Sequence, residues 1–366
     1  MSTTWGNNIK LTIFGESHGA AIGGVIDGIP AGIKLDVEFI KKEMARRAPG
    51  NNNLSTPRKE ADEVEILSGY FEEKTTGTPL SFIIKNTNTK SKDYSLFKDI
   101  MRPGHGDYTG NVKYFGFNDY RGGGYFSGRI TAPLVFAGAI AKQILEKKDM
   151  FIGAHIKSIY NIEDTSFNEL GINKEELLSL KEESLPLLNK VVKDDMEEII
   201  IKAREEGDSV GGVIELMVLN PGKGLGAPFF DSVESRLSQI LFSVPAVKGV
   251  EFGDGFNMAC LKGSESNDAY VIENKKVKTK SNKNGGILGG ITNGMPIIFK
   301  VAIKPTPSIS KLQETVDIGT MTETTLEVKG RHDPCIISRA IPVIESVTAL
   351  VMLDLFIDRL KEVNFN

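Results

Sequence analysis

The chain has 366 residues, 40% of them hydrophobic and 25% charged, which is ordinary globular composition with enough length for one large domain or two smaller ones. Lys and Arg number 44 against 48 Asp and Glu, and the net charge of −4 argues against a chain whose main business is coating nucleic acid or anionic lipid. Two cysteines exclude a disulfide scaffold and a Cys-rich zinc site, and with no basic-then-apolar opening the expected address is a reducing cytoplasm.

In chain order, the apolar runs at 10–14 and 22–27 predict strands, bounded by glycine. Asp36 is a plausible N-cap for a helix over 37–47, which stops at Pro49-Gly50. A strand is expected at 80–84. Residues 133–148 read as a helix, with proline in its first turn and lysines at its end. The apolar stretch 152–159 makes its His155 a structural histidine. Residues 173–206 read as two helices broken at Pro186, and 212–219 and 296–303 as strands. A long helix is expected over 342–363, with Val343, Ile344, Val347, Leu350, Val351 and Leu353 buried. It is not read as a membrane span, because Glu345, Asp354 and Asp358 interrupt it. Strands and helices intermix without regular βαβ alternation, so the fold class is α+β with mainly antiparallel pairing. No repeat or low-complexity linker divides the chain, and one continuous domain over 1–366 is expected.

The 38 glycines cluster, and the clusters carry the candidate chemistry. His18 lies in Gly15-Glu16-Ser17-His18-Gly19, directly after a strand. His105 lies in Arg102-Pro103-Gly104-His105-Gly106-Asp107, and His332 in Arg331-His332-Asp333-Pro334. Imidazole exchanges protons near neutral pH, and a loop flanked by glycine leaves it open to a ligand; each such histidine taken alone is equally a turn residue bonded to backbone. Arg121-Gly122-Gly123-Gly124-Tyr125-Phe126-Ser127-Gly128-Arg129 leads into the helix at Pro133, a pattern suited to an anion at a helix start, with Arg129 able to grip phosphate or carboxylate. It is not a Walker A loop. Tyr125 and Phe126 either stack on a planar ligand or anchor the loop. Arg46 and Arg47 close the 37–47 helix, where they favour its dipole or join Arg129 and Arg339 in an anion clamp. Lys304-Pro305-Thr306-Pro307-Ser308 is a rigid segment after a strand. No metal site is expected.

Gly15-Glu16-Ser17-His18-Gly19 with 24–30, Arg102-Pro103-Gly104-His105, Arg121-Gly122-Gly123-Gly124 with 127–131, and Lys329-Gly330-Arg331-His332-Asp333-Pro334-Cys335 together resemble the chorismate synthase family, in order and spacing, over essentially the whole chain. The resemblance implies 1,4-anti elimination of phosphate from 5-enolpyruvylshikimate 3-phosphate to give chorismate, with reduced FMN and no net redox change. It also implies a β-α-β sandwich with an antiparallel sheet core between helices, and a homotetramer. By motif match, His18 corresponds to the histidine near the substrate phosphate, His105 to the one beside the flavin, and Asp333 to the aspartate that relays the proton removed by flavin N5. Flavin contacts carry over to Ser127, Gly289, Lys304, Pro305, Thr306, Ser308 and Arg331. Arg47 matches an arginine assigned to NADPH or anion contact, and Arg129 and Arg339 match arginines near the substrate. The chain departs from the family where Arg-Ser-Ser-Ala-Arg-Glu-Thr is usual: here 125–131 reads Tyr-Phe-Ser-Gly-Arg-Ile-Thr, with Tyr125 and Phe126 expected to line the flavin. Pro307 replaces a serine, and Asn53 stands where the family has an arginine, which weakens an NADPH contact. A flavin reductase using NAD(P)H is the competing enzyme reading, disfavoured by the lack of Gly-x-Gly-x-x-Gly after a strand. A non-enzymatic protein that docks anions is the other.

Overall fold

The computed structural model describes residues 3–50, 62–87, 96–328 and 333–363. The strands in chain order are β1 (Thr4–Trp5), β2 (Lys10–Gly15), β3 (Ala21–Asp27), β4 (Val64–Ser68), β5 (Tyr70–Phe71), β6 (Lys74–Thr75), β7 (Leu80–Lys85), β8 (Phe151–Ile159), β9 (Ile162–Glu163), β10 (Gly212–Leu219), β11 (Val247–Phe252), β12 (Tyr270–Glu273), β13 (Lys276–Thr279), β14 (Ile287–Leu288), β15 (Ile291–Thr292), β16 (Ile297–Ile303), β17 (Leu312–Asp317) and β18 (Thr322–Glu327). The helices are α1 (Val37–Arg47), α2 (Asp107–Lys113), α3 (Ala132–Glu146), α4 (Lys174–Ser179), α5 (Lys193–Glu205), α6 (Val233–Leu241), α7 (Gly263–Ser266) and α8 (Ile337–Val363).

Two five-stranded sheets, ordered β1-β2-β3-β7-β4 and β11-β16-β10-β8-β9, are antiparallel at every pair. In the first sheet, residues two apart share a face, so Leu11, Ile22, Ile26, Leu80, Phe82 and Ile84 all turn inward. Gly24 leaves room there for the Phe82 ring, which lies 4.2 Å from that of Phe136 on α3. The second sheet is covered on both faces. Ile152, Ala154 and Ile156 of β8 join the main core, while Phe151 packs with Met217, Ile298 and the α4 residue Leu177.

α3 and the first two-thirds of α8 are buried almost throughout, in the same apolar core as strands from both sheets. α3 touches β2 and β3 of one sheet and β8 of the other. The two helices meet closely at Gly138, where a Cβ would stand 2.2 Å from that of Ser346.

α1 begins as expected: Asp36 accepts from the Phe39 N–H at 3.0 Å. α4 and α5 are separate helices with Pro186 between them. α8 differs from expectation. It starts at Ile337, five residues before Pro342, so the proline lies inside the helix. Proline there forfeits one backbone hydrogen bond, a cost that burial of the surrounding apolar turns outweighs.

Charge also enters the helical layer. Arg46 of α1 makes a two-pronged pair with Glu345 of α8 at 2.6 and 3.0 Å and also reaches Glu43. Lys142 of α3, 2% exposed, donates to Glu43 at 2.5 Å and Glu345 at 2.7 Å. Burial opposes ionisation of Glu345, but Arg46 and Lys142 hold its carboxyl far below the usual carboxylate range. This network ties α1, α3 and α8 to one another.

Candidate active site

The sequence blocks converge. After β2 the chain turns through 15–19 and lays His18 against the glycine turn at 121–124. Gly122 has φ of 60°, and a Cβ on it would stand 2.0 Å from the His18 Cε1, so conformation and space both require glycine. Ser17 fixes this contact: its hydroxyl donates to the carbonyls of Arg121 and Gly122, and its N–H donates to that of Gly124. The Ser17 hydroxyl is also 3.2 Å from His18 Nδ1. His18 itself is buried.

The same glycine turn borders the loop of His105. The Arg102 guanidinium lies 3.8 Å from where a Gly123 Cβ would be. Arg102 is held by a two-pronged pair with Asp107, at 2.7 and 2.8 Å, and Asp107 also accepts the Arg102 N–H. That closes the 102–107 loop on itself. His105 Nε2 then meets the Ser308 hydroxyl at 2.6 Å, and Lys304 donates to the Gly104 carbonyl at 2.6 Å. Pro307 packs on Gly104 so closely that a Cβ there would be 2.9 Å from the Pro307 Cβ. Burial and nearby Lys248 push the Lys304 amine below its usual value.

The arginines gather beside the His18 loop. Arg47 donates from Nε and Nη2 to one Asp62 oxygen at 3.0 and 2.7 Å, and Arg129 pairs with the other. Burial pulls the Arg47 guanidinium down to about 10; Asp62 opposes this, and Arg339 and Arg129 add to it. Arg129 also donates to Asn86 Oδ1 at 2.9 Å, and the Asn86 amide donates to the carbonyls of Glu16 and Gly19. Arg129 is thus wired to the His18 loop. Arg339 donates to the Arg47 carbonyl and pairs with Asp333. The chain then closes the ring: the Pro334 carbonyl accepts from the Val210 N–H, and the Ser209 hydroxyl donates to the Thr306 carbonyl.

Two expectations change. Arg46 is not beside Arg47 in the clamp: successive residues of a helix point about 100° apart, and Arg46 faces the buried network with Glu345. Phe126 does not project as a free stacking ring; it seats on Gly106 and Gly110, and Tyr125 packs against the main core. Burial raises the Tyr125 hydroxyl above its usual value. Gly289 sits in the β14–β15 turn, where a Cβ on it would meet nothing within 4 Å, while its neighbour Gly290 packs on Ser232 and accepts the Val233 N–H. Ser127 caps the short turn before α3 by accepting the Arg129 N–H. Arg331, His332 and Asn53 lie outside the described residues. Cys335 is buried, which pushes its thiol up to about 12 and makes it a packing residue.

Asp62 and Asn86 escape a sequence reading. Each lies in a polar stretch next to a strand, with no motif around it, and each acquires its role from partners 15 to 70 positions away. His155 is structural as expected: its two ring nitrogens meet Asp164 at 3.1 Å and Glu215 at 2.9 Å, fully buried.

The family model described as chorismate synthase matches residues 9–357. A chorismate synthase of Pyrococcus abyssi is 49% identical over 349 residues, covering 95% of this chain and 96% of that one. One of Thermococcus kodakarensis is 45% identical with the same coverage. A solved structure titled as the crystal structure of chorismate synthase superposes with a TM-score of 0.75 at 30% identity, covering 97% of this chain and 94% of that one.

Proposed function

The chain belongs to the chorismate synthase family of lyases, and from that premise we propose that its converging loops eliminate phosphate from 5-enolpyruvylshikimate 3-phosphate to give chorismate, the last step of the shikimate route, with reduced FMN bound. The observation that carries this reading is the linking of His18, His105 and three arginines by hydrogen bonds between neighbouring loops.

The substrate has two carboxylates and a phosphate, and Arg47, Arg129 and Arg339 supply the cations such a polyanion needs in a low-dielectric cleft. Asp62 and Asp333 hold those guanidinium planes in place beforehand. His18, enclosed by the glycine turn, donates a proton to the departing phosphate; its burial keeps water from competing for that proton. Ser308 fixes the ring of His105, and Asp333, gripped by Arg339, accepts a proton leaving the cleft.

The residues present fit a flavin. Thr306 Oγ1 is buried without a hydrogen-bond partner among the described residues, an orphan that a ligand atom would satisfy, and it lies between Lys304 and Ser308. Ser127, Lys304, Pro305, Thr306, Pro307, Ser308 and Arg331 would hold it, with the Tyr125–Phe126 turn as one wall. Reduced FMN, when bound, supplies an electron-rich ring that eases phosphate departure without net oxidation. An NADPH contact at Arg47 would have to displace Asp62.

The same reading takes 1–366 as a single β-α-β sandwich domain in which α3 and α8 form the middle layer and the second sheet lies between helices. It takes the chain to be a cytoplasmic homotetramer. Strongly exposed aromatics such as Phe117 and Phe230, both 92% exposed, suit surfaces covered by other copies.

Anaerobic turnover with the purified phosphate ester and reduced FMN tests the reaction. Phosphate should be released in large excess over flavin oxidised; release no greater than flavin oxidation would favour the reductase reading. His18→Ala and His105→Ala should each lower kcat by about 10²–10⁴-fold with flavin binding retained.

A further inference from the structure

We propose that Phe126 is a positioning residue that sets the spacing between His18 and His105, by seating its ring on a helix face stripped of side chains. Gly106 and Gly110 form that face. Neither needs glycine for its backbone: Gly106, the residue before α2, has φ of −81°, and Gly110 lies inside α2 without a positive φ. A glycine inside a helix costs about 1 kcal/mol relative to alanine, so its presence calls for another cause. The cause is space. A Cβ on Gly110 would stand 2.6 Å from the Phe126 Cε2 and 3.1 Å from its Cζ. One on Gly106 would stand 3.1 Å from the Phe126 Cγ. The Tyr114 ring borders the seat, its centroid 6.2 Å away.

The ring is 40% exposed, so general core burial does not hold it there. What it joins are the two halves of the cleft. Its own segment, 121–126, carries Gly122, the wall against His18. Gly106 follows His105 directly, and the His105 N–H donates to Arg102 in the loop that α2 terminates. The phenylalanine at 126 and the bare face opposite are therefore one device.

This inference rests on the reading of both histidines as members of one active site, and its test separates the two. Gly110→Ala, Phe126→Ala and the double variant form a cycle. Helix propensity alone predicts that Gly110→Ala stabilises the protein and leaves turnover unchanged. The seat predicts the reverse in the parent protein: kcat about 10-fold lower, KM for the phosphate ester within about 2-fold. In the Phe126→Ala background, the added methyl has room, and Gly110→Ala should cost less than 2-fold or restore part of the activity. Hydrogen exchange across 102–110 should rise in Phe126→Ala and fall back in the double variant. Equal, multiplicative effects of Gly110→Ala in both backgrounds, or unchanged exchange across 102–110, would overturn the proposal. A parent protein that releases no phosphate would sink the functional reading, while exchange and the melting-temperature cycle would still report on the seat.

Discussion

Asn86 shows how much a single side chain can carry. Its amide oxygen accepts from Arg129 while its NH2 group donates to two carbonyls of the His18 loop, so one residue ties the Arg129 guanidinium to the loop that carries His18. Hydrogen bonds to charged groups are worth about 1.5–3 kcal/mol. Asn86→Ala should therefore lower kcat/KM by at least about 10-fold in a folded protein. Steady-state kinetics beside a melting curve check this, and an unchanged kcat/KM would remove Asn86 from the site. His18, His105 and Arg129 stand out in the sequence because each sits in a compact, glycine-marked motif. Asn86 and Asp62 were not, because a hydrogen bond between residues far apart in sequence leaves no local signature.

At the level of elements, helix ends and strands with one buried face could be read directly. Asp36 caps α1, and the alternation in β2, β3 and β7 matches their buried faces. β8 was less legible. Covered on both faces, it is apolar without alternation, and such a run does not distinguish strand from helix. α8 has the length and apolarity of a membrane span, yet 83% of its most apolar window is buried in protein. Its acidic residues explain themselves in place: Glu345 meets Arg46 and Lys142, and Asp354 accepts the N–H groups of Asn8 and Ile9 and pairs with Arg236. Glu345→Ala should destabilise the protein by about 3–5 kcal/mol, since it leaves Arg46 and Lys142 to share the single carboxylate of Glu43. Gly138→Ala should cost about 1–3 kcal/mol by forcing α3 from the Ser346 turn of α8. Denaturant unfolding measures both, and a loss below 1 kcal/mol in either would contradict the corresponding packing.

Across the whole molecule, pH acts most directly on the His155 cluster, which joins β8 and β10 to the residues after β9. Burial lowers the imidazole pKa, but Asp164 and Glu215 outweigh it and raise the value above 6.5. A raised folded value means the stabilisation is complete below about pH 6.5 and lost as pH rises through the folded pKa. Asp164 is depressed despite burial, by His155 and backbone N–H groups, so its share is present above 3.8 and is lost as pH falls from there through the folded pKa. The melting temperature of the parent protein should decline from pH 6 towards pH 9 more steeply than that of His155→Gln. Parallel profiles would show that His155 is neutral in the folded state.

Composition, capping residues, hydrophobic period and motif order determined the mixed α and β class, the helices α1, α3, α4, α5 and α8, the strands β2, β3, β7, β10 and β16, and the family, because each is written in neighbouring residues or in the succession of short blocks. Tertiary structure alone decided that Arg46 joins the network with Glu345 and Arg47 the pair with Asp62, that Phe126 seats on α2, and that Asp62 and Asn86 organise the arginines. Those outcomes depend on which side chains meet after two sheets close over two buried helices, and contacts of that kind arise only from packing in three dimensions.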